Sequence, residues 1–152
     1  MSIFPTRILL ATDGSEEATL AARTAIDIAD KTGSELHIVL VGLSVSYVGM
    51  GPLEIADIPG PAQEELNQEA QGLLNAQTRQ IEANGGTVAG THLRIGKPDE
   101  EIVAQAEELG AGLIVMGSRG LGGIRRALMG SVSDSVVRHA HCPVLVVREE
   151  RR

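Results

Sequence analysis

The chain has 152 residues, of which 43% are hydrophobic and 22% charged, and a formal net charge of −7. That length suits one domain with a real core, and the acidic balance argues against a general nucleic-acid or anionic-membrane surface. One Phe, one Tyr and no Trp argue against stacking platforms for single-stranded nucleic acid. Cys142 is the only cysteine, so an intrachain disulfide and a thiolate metal cluster are excluded as well. The opening MSIFPTRILLATDGS lacks the basic start, long apolar region and cleavage site of a signal peptide. No apolar run approaches bilayer length. The expected location is the cytoplasm.

The first element is RILLAT (Arg7–Thr12), a short apolar run that fits a strand buried on both faces. It ends at Asp13-Gly14-Ser15. Ser15 is a good helix N-cap, and Glu16 and Glu17 suit a first turn. Ala18, Ala21, Ala22, Ala25, Ile26 and Ala29 then recur at helical spacing, and Gly33 stops the helix. Residues 35–43 (ELHIVLVGL) read as a central strand. Residues 44–61 are rich in glycine and proline and show no period. Tyr47, Val48, Met50, Leu53, Ile55 and Ile58 make this stretch too apolar for a plain linker, and favour a lid or partner-contact segment over disorder.

Leu66, Ala70, Leu73, Leu74, Gln77 and Ile81 mark a long amphipathic helix closed by Asn84-Gly85-Gly86. Residues 87–95 form a third, less continuous strand. Asp99, Glu100 and Glu101 open a further helix whose inward face carries Ile102, Val103, Ala106 and Leu109, and Gly110 stops it. Residues 113–116 are the fourth strand. Residues 132–141 are the last helix, with Val132, Val136, Val137 and Ala140 expected inside. Pro143 precedes a final strand, Val144–Val147, and 148–152 is a charged tail. Strands alternating with helices predict an α/β fold: one three-layer domain, a parallel sheet with helices on both faces. Ligands of such sheets sit at the carboxyl ends of the strands, at a topological switch point. Asp13 and Gly117 each end a strand, and they meet there if the first and fourth strands are neighbours.

The stretch 115–133, VMGSRGLGGIRRALMGSVS, carries the chemistry. Glycines let a backbone approach a ligand, and the helix that follows offers unpaired N–H groups and a partial positive charge. Together they read as a phosphate cradle; a flexible strand–helix connection with glycine turns is the plainer reading. The stretch is not a P-loop, since the only Gly-Lys pair, Gly96-Lys97, is followed by Pro98. Nor is it G-x-G-x-x-G, since Gly120-Leu121-Gly122 runs on into Gly123-Ile124-Arg125. The remaining pattern is Gly117-x2-Gly120-x9-Gly130-Ser131. Ser131 and Ser133 add hydroxyls near the helix start. Asp13 fits a ligand for nucleotide-borne Mg²⁺ or a ribose acceptor; the plainer reading is a turn or capping aspartate before Gly14. Arg125 and Arg126 either reach phosphate or only solvate the loop. His139 and His141 beside Cys142 show no fourth metal ligand, and suit a helix C-terminus instead.

This pattern resembles the ATP-binding, UspA-like kind of the universal stress protein family, whose glycine motif G-2x-G-9x-G-[ST] it matches. The resemblance extends to RILLATDGS, HIVLV, GKPDEEIVAQAEELGAGLIVMGSRG and GSVSDSVVRHAHCPVLVV, nearly the whole chain taken as one domain, 1–152. It implies a five-stranded parallel sheet in the order 3-2-1-4-5. It also implies a cofactor, ATP (or ADP or AMP), possibly with Mg²⁺ on Asp13. Ala11 and Asp13 would lie beside that ligand, Val41 would meet the adenine through its backbone, and Met116 and Gly117 would lie by the ribose and phosphates. Arg119, Gly120, Gly130, Ser131, Val132 and Ser133 would surround the triphosphate. Leu40 stands where the family often has His. The implied function is a nucleotide-holding regulatory or stress-response module, paired as a homodimer through Val144–Val147 and acting on a protein partner. The alternative is a slow Mg²⁺-dependent ATPase or phosphoryl-transfer enzyme, for which the sequence offers Asp13 as the only carboxylate at the crevice.

Overall fold

The computed structural model describes residues 2–44, 60–118 and 130–149. Strand β1 (Arg7–Thr12) is followed by α1 (Glu16–Thr32), β2 (Glu35–Gly42), α2 (Gly60–Ala83) and β3 (Val88–Ile95). Then come α3 (Pro98–Leu109), β4 (Leu113–Gly117), α4 (Ser131–His139) and β5 (Val144–Val147). The sheet runs β3-β2-β1-β4-β5, the order that the resemblance implies, and every neighbouring pair is parallel, as the alternation predicts. No helix among the described residues is long and apolar enough to cross a membrane.

Alternation along each strand splits the core into two layers, because successive side chains point to opposite faces. Ile8, Leu10, Leu36, Ile38, Leu113 and Val115 pack beneath Ala21, Ala25, Leu74 and Ile81 of α1 and α2. Leu9, Ala11, Val39, Ile114 and Met116 pack beneath Ile102, Ala106 and Val136 of α3 and α4. The alanine face of α1 lets that helix lie close on the sheet, and its small residues are buried.

Helix ends follow the residue chemistry. Ser15 Oγ accepts from Ala18 N at 3.1 Å, and Gly33 stops α1 at φ 67 in the left-handed region. Gly110 does the same for α3 at φ 69. Three expectations need correction. The first turn of α2 takes in Gly60 and Pro61, which the sequence places in the loop; the remainder, 45–59, lies outside the described residues. Helix α4 spans Ser131–His139 rather than 132–141. Val137 is 45% exposed rather than inward, because Val132, Val136 and Ala140 already form the i, i+4, i+8 stripe and Val137 falls 100° off it.

Candidate functional site

Helices α1 and α2 cover one face of the sheet and α3 and α4 the other. The connection leaving β1 therefore departs to the opposite side from the one leaving β4. The two strands are neighbours, so a crevice opens at their carboxyl ends. Its volume is about 630 Å³, well within the range of small-molecule sites. Ala11, Asp13, Val41, Met116, Gly117, Gly130, Ser131, Val132 and Ser133 all line it. Arg119, Gly120, Arg125 and Arg126 lie outside the described residues.

One wall is apolar, formed by Ala11, Val39, Ile102 and Met116, with Leu66, Ala70 and Leu73 of α2 opposite. On the β2 side, pairing with β1 ends at Thr12↔Leu40. Val41 thus projects one residue beyond the β1 ladder, where its backbone edge faces the crevice instead of a strand.

The other end is an anion-seeking helix start. Gly130 is the N-cap of α4, and no side chain caps it. The first-turn amides of Ser131, Val132 and Ser133 meet no acceptor among the described residues, so a helix's unpaired N–H groups are presented there. Gly130 sits at φ −68, ψ 162, an extended conformation open to any residue. No special backbone angle therefore calls for glycine there. Its own amide is already spent, donating to Ser118 O at 2.6 Å. Ser133 is 1% exposed, and its hydroxyl donates to Ser118 O at 2.7 Å. That proton is therefore committed to a carbonyl, and Ser133 offers the crevice its backbone N–H. Ser131, which is exposed, also lines the crevice.

Asp13 Oδ1 accepts from Ser15 N at 2.9 Å, the local turn bond that suits an aspartate before a glycine at φ 83. No group of three or more potential metal-ligating side chains occurs among the described residues. Asp13 is not the only carboxylate at the crevice, as the sequence suggested: Glu69 of α2 lines it too, on a helix face that could not be aimed before the fold was known. His139 Nδ1 lies 2.8 Å from Ser135 O, in keeping with a helix-terminus role. Cys142 is half-buried, and that burial pushes its thiol pKa up.

The residue the sequence did not reveal is Glu17. Instead of facing water in the first turn of α1, it is 7% exposed and accepts a hydrogen bond from Ser118 Oγ at 2.5 Å. Gly117 makes this possible: a Cβ there would stand 3.0 Å from backbone and side-chain carbons of Glu17. No local pattern announces such a contact, since it spans 101 positions of chain.

Comparison with known proteins places these features in context. The profile of the universal stress protein family matches residues 5–148. The chain is 36% identical over 149 residues to a universal stress protein of Methanocaldococcus jannaschii, covering 96% of this chain and 84% of that one. Among solved structures, the universal stress protein UspA from Lactobacillus plantarum superposes with a TM-score of 0.80 at 26% identity, over 97% of this chain and all of the other (100%). A universal stress protein crystallised in complex with cAMP superposes with a TM-score of 0.70 at 26% identity, over 95% and 98% of the two chains.

Proposed function

The chain belongs to the universal stress protein family, and from that premise we propose that it is an adenine-nucleotide-binding regulatory module of the cytoplasm. It holds ATP, or ADP or AMP, in the crevice between β1 and β4. The observation that carries this reading is the pairing of two ends in one cavity: an apolar slot beside the Val41 backbone, and the uncapped first turn of α4. A planar base suits the slot, and a phosphate suits the amides of Ser131, Val132 and Ser133. The cAMP complex of a solved relative supports the same ligand class. Arg119 and Gly120 of the glycine motif are proposed to complete the phosphate contacts. Mg²⁺ fits as an ion carried in by the nucleotide, with Asp13 as one ligand, because the described residues supply no three-ligand cluster of their own.

Binding, and not turnover, is the activity proposed. Backbone amides and hydroxyls stabilise bound nucleotide as readily as a transition state, and uniform binding does not accelerate chemistry. Asp13 is already engaged by Ser15 N. Glu69, as a second carboxylate lining the same cavity, gives the slow ATPase its one specific argument. Mass spectrometry of nucleotide released from the purified protein, followed by calorimetry with ATP, AMP and cAMP, tests the proposal. Intact adenine nucleotide and turnover below about one per minute are expected, far under ordinary enzyme rates. Phosphate release at several per second, abolished by Asp13→Ala or Glu69→Gln with affinity intact, would establish the ATPase instead.

The module is proposed to act as a homodimer through β5. Ile114 N donates to Pro143 O and Ser118 N to Val147 O, so Leu145 and Val147 turn their polar backbone groups toward β4. The backbone groups of Val144 and Val146 consequently point away from the sheet, as an open apolar edge suited to a second copy.

A further inference from the structure

We infer that Glu17 is a positioning residue for the anion-binding start of α4, acting through Ser118. The inference rests on the proposed nucleotide site and names a residue that holds it in shape. Ser118 is the last described residue before 119–129, and Gly130 is the first after it. Every polar group of Ser118 is engaged. Its amide donates to Val147 O at 2.9 Å, and its carbonyl accepts from Gly130 N at 2.6 Å and from Ser133 Oγ at 2.7 Å. Its hydroxyl donates to Glu17 at 2.5 Å. Ser118 is 3% exposed and Ser133 1% exposed, so none of these bonds competes freely with water.

The consequence is geometric. The carbonyl of Ser118 fixes both the N-cap amide and the third residue of α4, and thereby the direction in which the free amides of Ser131 and Val132 point. That carbonyl is steered by the two bonds on the other atoms of Ser118, one to β5 and one to Glu17. Glu17 reaches it because α1 is pressed against the end of β4, where Gly117 leaves no side chain in the way. An acidic group beside an anion site would be repulsive if charge were its only effect. Its placement is explained by the bond it accepts. Charge and hydrogen bonding therefore predict opposite outcomes for removing Glu17, and this separates the two roles.

The test uses Glu17→Ala, Glu17→Gln and Ser118→Ala, with two readouts on the full chain. The first is amide hydrogen exchange in the nucleotide-free protein, which needs no ligand. Glu17→Ala should speed exchange at Gly130 at least about tenfold, the loss expected when a strong buried hydrogen bond is broken, while core amides such as Leu10 stay unchanged. Glu17→Gln keeps an oxygen acceptor for Ser118 and should remain within about twofold of wild type. The second readout is the Kd for ATP. It should weaken about tenfold in Glu17→Ala and in Ser118→Ala, no further in the double variant, and stay the same or tighten in Glu17→Gln. Unchanged Gly130 exchange in folded Glu17→Ala, or tighter ATP binding by Glu17→Ala, overturns the inference. Should Glu17→Ala not fold, Ser118→Ala, which removes the same bond, decides by the same two criteria. If wild type binds no adenine nucleotide, the functional proposal falls, and the exchange readout still decides whether Glu17 positions α4.

Discussion

Two glycine-to-alanine substitutions should move stability in opposite directions, although the added atom is the same. At Gly117, a Cβ would stand 3.0 Å from the carbonyl carbon and the Cβ of Glu17 and 3.2 Å from its carbonyl oxygen. Carbon contacts are optimal near 3.5–4.0 Å, so β4 and the first turn of α1 must separate by a few tenths of an ångström. Neither can retreat alone. Helix α1 is pinned by its Ser15 cap and by fully buried Ala21 and Ala25, and β4 pairs with β1 on one side and β5 on the other. Overpacking of this kind costs about 1–3 kcal/mol. Gly72 lies on the exposed side of α2 with nothing within 4 Å of its would-be Cβ, and a mid-helix glycine loses about 0.5–1 kcal/mol relative to alanine. For a chain of this size 1 kcal/mol shifts Tm by roughly 2–4 °C. Gly117→Ala should then lower Tm by about 2–12 °C and Gly72→Ala raise it by about 1–4 °C, read by circular dichroism during heating and checked by urea midpoints. A Gly117→Ala protein as stable as wild type would refute the close α1–β4 approach on which the placement of Glu17 depends.

Other outcomes follow from single contacts. Gly130→Val keeps an allowed backbone angle, so it should fold normally yet weaken ATP binding at least tenfold, about 1.4 kcal/mol or more; unchanged affinity in calorimetry would remove Gly130 from the site. Val146→Pro deletes an outward amide at the open edge and should shift a micromolar homodimer toward monomer in sedimentation, and a wild-type monomer there would dispose of the dimer. Burial, aided by the nearby His37 and Arg94 charges, holds the pKa of His92 below its ordinary 6.5. Charging it is harder in the folded than in the unfolded chain, so its contribution to stability is complete above pH 6.5 and lost as pH falls below. His92→Gln should flatten the decline of the urea midpoint from about pH 7 to 5, and an identical slope would locate that decline elsewhere. The raised thiol pKa of Cys142 should make it react more slowly with a thiol reagent at pH 8 than it does in urea, and equal rates would contradict its burial.

The sheet was legible because its signals are local. Apolar runs such as RILLAT, the Ser15 cap, and Gly33 and Gly110 at left-handed φ each depend on residues within one turn or strand. The crevice was legible in part: alternating strands and helices make a parallel sheet with a switch point the expectation, but that β1 and β4 are the neighbours there, so that Asp13 and Gly117 meet, followed only from the family resemblance. What stayed hidden depends on how one element leans on another. Glu17 reads as an ordinary first-turn acid until α1 is laid against β4. Glu69 reads as one more exposed charge until α2 is rotated over the crevice. Gly117 and Gly130 look alike in the motif, yet α1 presses on Gly117, while Gly130 is the N-cap of α4 and lines the crevice. Ser131 and Ser133 look alike too, but only one hydroxyl is left over after Ser118 O has taken its donors. The spacing of the motif therefore pointed to backbone at the end of β4 and the start of α4, which lines the crevice. Which side chains face the crevice, and which bond to the chain beside it, is settled only by tertiary contacts such as the one between Glu17 and Ser118.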